Sequence, residues 1–156
     1  MNLIGRKKEM RELQRYYDSP RPELIIVYGR RRVGKTYLIK EFFENKFAFY
    51  FTGTVAFWNS WASAVPEILF IGCGSATSWI TKKLFQNRGG LHNRVTGRIY
   101  LSPFSLGECE EFFKSRKIEM TRYQMAESYM IFGGIPYYLN LFDSGLSFIT
   151  KAIALV

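Results

Sequence analysis

The stretch from Leu24 to Glu44 constrains the fold of this 156-residue chain more than any other part of the sequence. It opens with the apolar run Leu24–Tyr28, which predicts a strand buried on both faces of a parallel sheet. Residues 29–36 follow the pattern G-x-x-x-x-G-K-[ST]. Lys35 to Glu44 then predicts a helix, whose inward side chains at helical spacing are Leu38, Ile39, Phe42 and Phe43. A strand, a glycine-containing loop and a helix in this order predict an α/β domain.

Each part of that loop suits phosphate binding. Gly29 and Gly34 let the backbone wrap so that successive N–H groups face an anion, and the helix that follows adds its partial positive charge. Lys35 can reach the β- and γ-phosphates of a nucleotide, and the Thr36 hydroxyl is a candidate Mg²⁺ ligand. A chance match is the alternative, but the flanking strand and helix argue against it. The predicted phosphate-binding residues are Gly29, Arg30, Arg31, Arg32, Val33, Gly34, Lys35 and Thr36.

The basic charge has two interpretations. The chain carries 22 Lys and Arg against 13 Asp and Glu, a formal net charge of +9, and its pI is near 9.7. That balance is compatible with a nucleic-acid-binding module, which stays open as an alternative function. Arg30, Arg31, Arg32 and Lys35 belong to the loop itself, however, so part of the excess is explained by an anionic nucleotide.

Composition excludes several classes of protein. With 47% hydrophobic and 17% aromatic residues, the chain is neither disordered nor collagen-like. Cys73 and Cys109 are too few for a disulfide scaffold and are interpreted as small core residues in a reducing compartment. The N-terminus lacks the apolar stretch of a signal peptide, and the apolar window Trp61–Ile80 is interrupted by Pro66, Glu67 and two glycines. The sequence therefore predicts a cytoplasmic protein without a membrane span.

The remaining pattern predicts strands alternating with helices, which favours a doubly wound parallel sheet. After a first helix at 6–17, the pattern places strands at 47–51, 68–71 and 98–101 and helices at 55–65 and 78–85. Two capping boxes, Ser105 with Glu108 and Thr121 with Gln124, each predict the start of a helix. The second of these helices is expected to stop at Gly133, with Pro136 opening a last short helix. In the helix that starts at Thr121, the expected inward residues are Met125, Ala126, Tyr129 and Met130.

Hydrolysis of a nucleotide by such a loop needs an acid that this pattern does not supply. A carboxylate at the carboxyl end of a neighbouring strand normally holds the Mg²⁺ shell. Asp18 and Asp143, the two aspartates of the chain, precede the first strand and follow the last helix, and Glu67 precedes its strand. We therefore predict that this chain binds a nucleotide without an acid of this kind.

These residues resemble the prokaryotic, archaeal-type ATPase family of the AAA+/STAND branch of P-loop NTPases. The segments that carry the resemblance are 3–9, 22–36, 50–53, 58–63, 73–79, 89–94 and 133–138. The resemblance implies a three-layer P-loop sandwich that binds ATP with Mg²⁺. It divides the chain into a nucleotide-binding core at 1–102 and a helical segment at 103–156 that leads toward a lid.

The same resemblance implies roles for six further residues. Ile4, Gly5, Arg6 and Pro136 are expected to border the adenine, while Ser75 and Arg94 are sensor candidates. Plainer interpretations stay open: Ser75 also suits helix capping, Arg94 a solvated loop, and Pro136 the first turn of a helix.

Two departures from the family bear on activity. The family's third strand, with its acidic pair, is missing between Gly53 and Phe57, and no winged-helix region precedes Val156. The chain is thus expected to be a shortened member with a reduced sheet, in which the second strand pairs with the fourth. It is expected to bind ATP and to hydrolyse it poorly or not at all. The alternatives are an active ATPase with an atypical acid, a nucleic-acid-binding module and a remnant without a role of its own.

Overall fold

A computed structural model describes residues 3–48, 65, 67–75 and 94–142 of the chain. Its elements are α1 (Lys7–Tyr17), β1 (Glu23–Gly29), α2 (Lys35–Phe42), β2 (Leu69–Ser75), β3 (Gly97–Leu101), α3 (Leu106–Ser115), α4 (Arg122–Phe132) and α5 (Pro136–Leu139). The helices predicted at 55–65 and 78–85 lie outside the described residues, as do His92 and the three tryptophans. Of the strand predicted at 47–51, only Phe47 and Ala48 are described, and they are not in a strand.

The three described strands form a parallel sheet in the order β2–β1–β3. The central strand β1 is buried along almost its whole length, which confirms the parallel arrangement that its continuous apolar run predicts. In this register Gly29 lies opposite Ser75 on one side and Leu101 on the other. The carboxyl ends of all three strands therefore meet at one edge of the sheet.

Two element boundaries differ from the sequence prediction. The third predicted strand was expected at 68–71, but β2 runs from Leu69 to Ser75 because its main chain pairs with β1 along the full length of that strand. The helix expected from Lys35 to Glu44 ends at Phe42. Leu38, Ile39 and Phe42 are buried as predicted, whereas Phe43 is only partly buried.

The described residues divide into two compact units, which we describe separately. The sheet unit comprises those within Arg6–Arg31 and Lys35–Leu101; the helical unit comprises those within Met1–Gly5, Arg32–Gly34 and Ser102–Val156. In the sheet unit, α1 packs against α2 and β3, and α2 also packs against β1 and β2. These contacts fix the start of α2 at the edge where the strands end.

In the helical unit, both capping boxes are present. The Ser105 and Thr121 side chains accept hydrogen bonds from the backbone N–H groups of Glu108 and Gln124, whose own side chains accept from the cap residues. The helix α4 ends at Gly133, which adopts the left-handed conformation with φ of 61°. Pro136 occupies the first turn of α5. The sequence prediction of these helix starts and of this stop is confirmed.

The inward face of α4 was predicted only in part. Met125 is buried, and Ala126 and Tyr129 are partly buried, but Met130 is 85% exposed, so its predicted inward position is wrong. The buried Ser128 shows the reason. Residues 125, 128, 129 and 132 follow the helical repeat and so share one inward face, whereas residue 130 is rotated by about 100° from residue 129 around the helix axis.

An aromatic-rich core holds the helical unit together. Its buried members are Phe104, Cys109, Phe113, Ile118, Met125, Leu139 and Phe142, with Phe112, Met120, Tyr129 and Phe132 packed against them. The Phe113 and Phe142 rings meet edge to face, with centroids 5.3 Å apart. Cys109 is buried in this core, as its interpretation as a small core residue predicts.

None of the helices within the described residues combines the length and the apolar character that a membrane span requires.

Candidate functional site

The predicted phosphate loop begins where β1 ends. Gly29 is the last residue of β1, and a Cβ at this position would collide with the main-chain carbonyl of Leu101 on β3. Gly34, with φ of 90°, adopts a conformation that side-chain-bearing residues rarely take. Both glycines of the motif thus have a physical reason in this fold: close approach of a neighbouring strand at one, backbone conformation at the other.

Lys35 opens α2 and is turned toward the loop. Its side chain is 9% exposed, and its Nζ donates hydrogen bonds to the main-chain carbonyls of Gly29 (3.1 Å) and Arg30 (2.7 Å). Burial lowers the pKa of Lys35; the nearby Cys73 opposes this shift and the positive Arg31 adds to it. Within the described part of the chain, the ammonium group is therefore held by carbonyl dipoles rather than by a carboxylate. A bound anion would stabilise its charge.

Thr36 follows Lys35 and is exposed. Its hydroxyl forms a hydrogen bond with the Cys73 side chain. A Mg²⁺ ion prefers oxygen ligands and usually keeps waters and nucleotide phosphates in its shell, so one protein hydroxyl is a fitting contribution. Among the described residues, no group of three or more His, Cys, Asp and Glu side chains comes together in a way that could hold a metal ion. The exposed Thr36 hydroxyl is compatible with a Mg²⁺ ion held mainly by nucleotide and water, and its role as a ligand stays a prediction.

Cys73 is the residue at this edge that the sequence analysis placed wrongly. It was interpreted as a core residue, but the structure leaves it exposed, next to Lys35 and Thr36. Burial of the sulfur still raises the pKa of Cys73, while the Lys35 charge and the Thr36 hydrogen bond lower it in part. The misplacement follows from the strand boundary: a strand that ends at Ile71 leaves residue 73 undefined, whereas a strand through Ser75 puts 73 beside the loop.

Ser75, a sensor candidate, ends β2 and pairs in register with Gly29. The structure thus brings it to the edge where the loop begins.

Arg94, the other sensor candidate, is not brought there. It is exposed and precedes β3, and the neighbouring Thr96 N–H donates to the carbonyl of Leu24 near the start of β1. Leu24 and Gly29 are separated by five residues of strand, about 16 Å. Arg94 therefore lies near the edge of the sheet where β1 begins, and its role as a sensor stays a prediction.

The three arginines of the loop differ in their surroundings. Arg30, Arg31 and Arg32 are all exposed, while the next residue, Val33, is 1% exposed. Arg32 adopts a positive φ of 69°. In the helical unit, its Nη1 donates to the Tyr138 hydroxyl at 2.8 Å.

The predicted adenine residues fall in both units. In the helical unit, Gly5 has a φ of 67°, and a Cβ there would collide with the Glu108 side chain on α3; Ile4 is partly buried, and Pro136 starts α5. In the sheet unit, Arg6 is 4% exposed and forms an ion pair with Glu9 at 3.5 Å. The structure gives each residue a defined environment, and their role toward adenine stays a prediction.

No carboxylate ends a strand in the described part of the chain. The three strands end at Gly29, Ser75 and Leu101. The buried Glu23 lies at the start of β1, at the edge away from the loop. The position where a P-loop enzyme would hold its metal-binding acid is therefore not filled by any described strand end.

The parallel sheet, with a G-x-x-x-x-G-K-T loop between its central strand and a helix, defines a P-loop-like α/β domain. The comparisons with known proteins place it more narrowly. A family described as "ATPase domain predominantly from Archaea" matches residues 3–66. The chain belongs to this archaeal ATPase family.

Two relatives come from Methanocaldococcus jannaschii. The uncharacterized ATP-binding protein MJ0423 is 56% identical over 44 residues, which cover 28% of this chain and 75% of that protein. The uncharacterized protein MJECL04 is 24% identical over 194 residues, covering 88% of this chain and 43% of that protein. The chain thus spans less than half the length of the second relative.

Proposed function

We propose that this chain is an ATP-binding P-loop domain of the AAA+/STAND type that hydrolyses ATP poorly or not at all. The observation that carries the proposal is Lys35, a nearly buried ammonium group that, among the described residues, donates its hydrogen bonds to two loop carbonyls. A buried cation with positive Arg31 nearby is costly unless an anion compensates it. A nucleoside triphosphate bound at the loop would supply that anion.

Three further features support the nucleotide as the ligand. The loop starts at the carboxyl edge of a parallel sheet, the usual position of ligand sites in open α/β sheets. Family membership and the name of MJ0423 as an ATP-binding protein favour ATP over other phosphates. Thr36 is proposed as the Mg²⁺ ligand, and the family resemblance proposes Ile4, Gly5, Arg6 and Pro136 as residues that border the adenine.

Weak hydrolysis is proposed from the strand ends. A phosphoryl-transfer site needs an acid that holds the Mg²⁺ shell or orients the attacking water. Gly29, Ser75 and Leu101 end the described strands, and none can do this. The alignment with MJECL04 also runs over 194 positions, more than the 156 residues of this chain, so that relative carries aligned residues without a counterpart here.

Steady-state ATP turnover by wild-type protein and a Lys35→Ala variant tests the hydrolysis part of the proposal. We expect both to turn over ATP at the same background rate, because without a strand-end acid the intact loop holds ATP but does not activate water. Wild-type turnover well above that of Lys35→Ala would contradict weak hydrolysis and favour an active ATPase with an atypical acid.

A duplex-DNA titration separates this proposal from a nucleic-acid-binding module. DNA binding through the basic surface would fall steeply with added salt and would persist in Lys35→Ala, since it depends on many charges rather than on one loop lysine. We expect no such tight, salt-sensitive binding. If it is found without any ATP binding, the nucleotide proposal is wrong.

A further inference from the structure

Arg32 of the loop contacts two consecutive residues of the short helix α5. Its guanidinium carbon lies 4.4 Å from the centre of the Tyr137 ring and 5.2 Å from that of Tyr138, within the range of cation–π contacts. Its Nη1 also donates a 2.8 Å hydrogen bond to the Tyr138 hydroxyl. A main-chain hydrogen bond adds to these contacts, since the Tyr137 N–H donates to the Arg32 carbonyl at 3.4 Å. Both the side chain and the backbone of one loop residue are thus held by two consecutive tyrosines.

The backbone of Arg32 shows why such contacts matter. Its φ of 69° lies in the left-handed region, which a residue with a side chain adopts only when its surroundings fix it there. The loop motif provides no glycine at this position. The contacts with Tyr137 and Tyr138 are the surroundings that the structure shows for it.

The tyrosines are themselves anchored. The Tyr138 ring packs on Phe132 with centroids 6.3 Å apart, and Phe132 packs against the aromatic core of the helical unit. Tyr137 and Tyr138 meet edge to face at 5.6 Å, and the next residue, Leu139, is fully buried. The side chain that bonds Arg32 is therefore packed onto the buried aromatic core of the helical unit.

We propose that Tyr137 and Tyr138 are positioning residues of the phosphate loop, which fix its phosphate-binding conformation by holding Arg32. The guanidinium is engaged by the two rings, so Arg32 acts on a bound phosphate through the shape of the loop rather than through its charge. The inference rests on the proposed function, since it concerns the same loop. It adds the residues outside the motif on which phosphate affinity depends.

The first test needs no nucleotide and uses trypsin on the native protein. Trypsin cleaves after each of the three loop arginines, so cleavage after Arg32 is compared with cleavage after Arg30 in the same sample. In Tyr137→Leu and Tyr138→Leu we expect cleavage after Arg32 to be selectively faster than in wild type. The reason is that the peptide bond after Arg32 becomes more mobile when the contacts of Arg32 with the tyrosines are lost. Equal relative rates in wild type and both variants would overturn the proposal.

The second test measures affinity for inorganic tripolyphosphate, ADP and ATP. Loss of one cation–π contact or of the hydrogen bond predicts about 3- to 10-fold weaker binding of all three in Tyr137→Leu and Tyr138→Phe. Tyr137→Phe keeps the ring on Arg32 and is expected to bind like wild type. Tyr123→Leu removes a 75% exposed tyrosine of α4 and serves as the matched control.

Arg32→Lys separates loop shape from charge. It keeps the positive charge but loses the planar group that bonds Tyr138, so positioning predicts the same loss of affinity as in Tyr138→Phe, whereas a direct charge contact predicts wild-type affinity. Wild-type affinity in Arg32→Lys and Tyr138→Phe, with ATP still bound, overturns this inference and leaves the proposed function standing. Failure of wild-type protein to bind ATP or tripolyphosphate overturns the proposed function, and the trypsin result then decides whether Arg32 is held.

Discussion

At the level of single residues, ATP binding is expected to depend most on Lys35. Replacement by alanine removes the charge that would meet the phosphates, and hydrogen bonds to charged groups contribute about 1.5–3 kcal/mol, so ATP affinity is expected to fall about 10- to 100-fold. Isothermal titration with ATP and Mg²⁺ measures this. The control is Lys40→Ala, which removes an exposed lysine from the same helix and should leave affinity unchanged. An equal loss in both variants would point to net charge rather than the loop.

The two cysteines give a second prediction. Cys109 is buried, and burial together with the Glu108 charge raises the pKa of its thiol to about 11, so alkylation of the folded protein should leave it unmodified. Cys73 is exposed beside Lys35 and Thr36, so iodoacetamide should modify it and bound ATP should slow that reaction. Mass spectrometry of tryptic peptides reports both sites. Unchanged modification of Cys73 at saturating ATP would place the nucleotide elsewhere.

Single residues also mark the limit of sequence reasoning. The pattern G-x-x-x-x-G-K-[ST] was sufficient to locate Gly29, Gly34 and Lys35, because the spacing of these residues is fixed within eight consecutive positions. The positions of Cys73 and Arg94 depend on where strands begin and end, which local patterns define least well. Arg32 and its two tyrosines lie more than a hundred positions apart, and no local pattern relates them.

At the scale of elements, the capping boxes were predictable because their signal is contained in four residues. Replacing Ser105 or Thr121 by alanine removes the acceptor for a helix N–H group and should lower the free energy of unfolding by about 1 kcal/mol. Urea denaturation followed by circular dichroism measures the change. Ser115→Ala, at the other end of α3, is the control, and an equally large effect there would argue against a capping role.

The strand β1 carries a pH-dependent contribution at Glu23. Burial raises the pKa of this carboxyl. Hydrogen bonds from Thr96, Ser19 and Arg21, together with the Arg21 charge, lower the pKa by more than burial raises it, so the net shift is downward. A pKa lowered in the folded state stabilises the protein above the usual value of 4.5, and this stability is lost as the pH falls through the folded pKa.

Glu23→Gln is therefore expected to lower the free energy of unfolding at pH 7 by about 1 kcal/mol, with the difference from wild type shrinking below pH 4.5. Urea denaturation at pH 7 and pH 3.5 measures it. Ser19→Ala removes a 2.8 Å hydrogen bond to the same carboxylate and should weaken this pH dependence in part. A difference that grows toward low pH would contradict the assigned shift.

At the scale of the whole molecule, the chain combines a sheet unit, which holds Lys35 and Thr36, with a helical unit, which holds Arg32 and α5. The alternation of strands and helices was enough to predict the parallel sheet, and the structure adds that the loop strand β1 is its central strand. It was not enough to predict that residues 32–34 belong to the helical unit, because that assignment depends on tertiary contacts.

If the folded chain binds ATP through its loop, ATP must raise the free energy of unfolding of the wild-type protein. A ligand that binds only the folded state at 100 times its Kd adds about 2.7 kcal/mol to the free energy of unfolding. Urea denaturation of wild-type protein with ATP and Mg²⁺ at that concentration should show this gain, and Lys35→Ala at the same concentration should lose most of it. No gain in wild type, or the same gain in both proteins, would contradict the account.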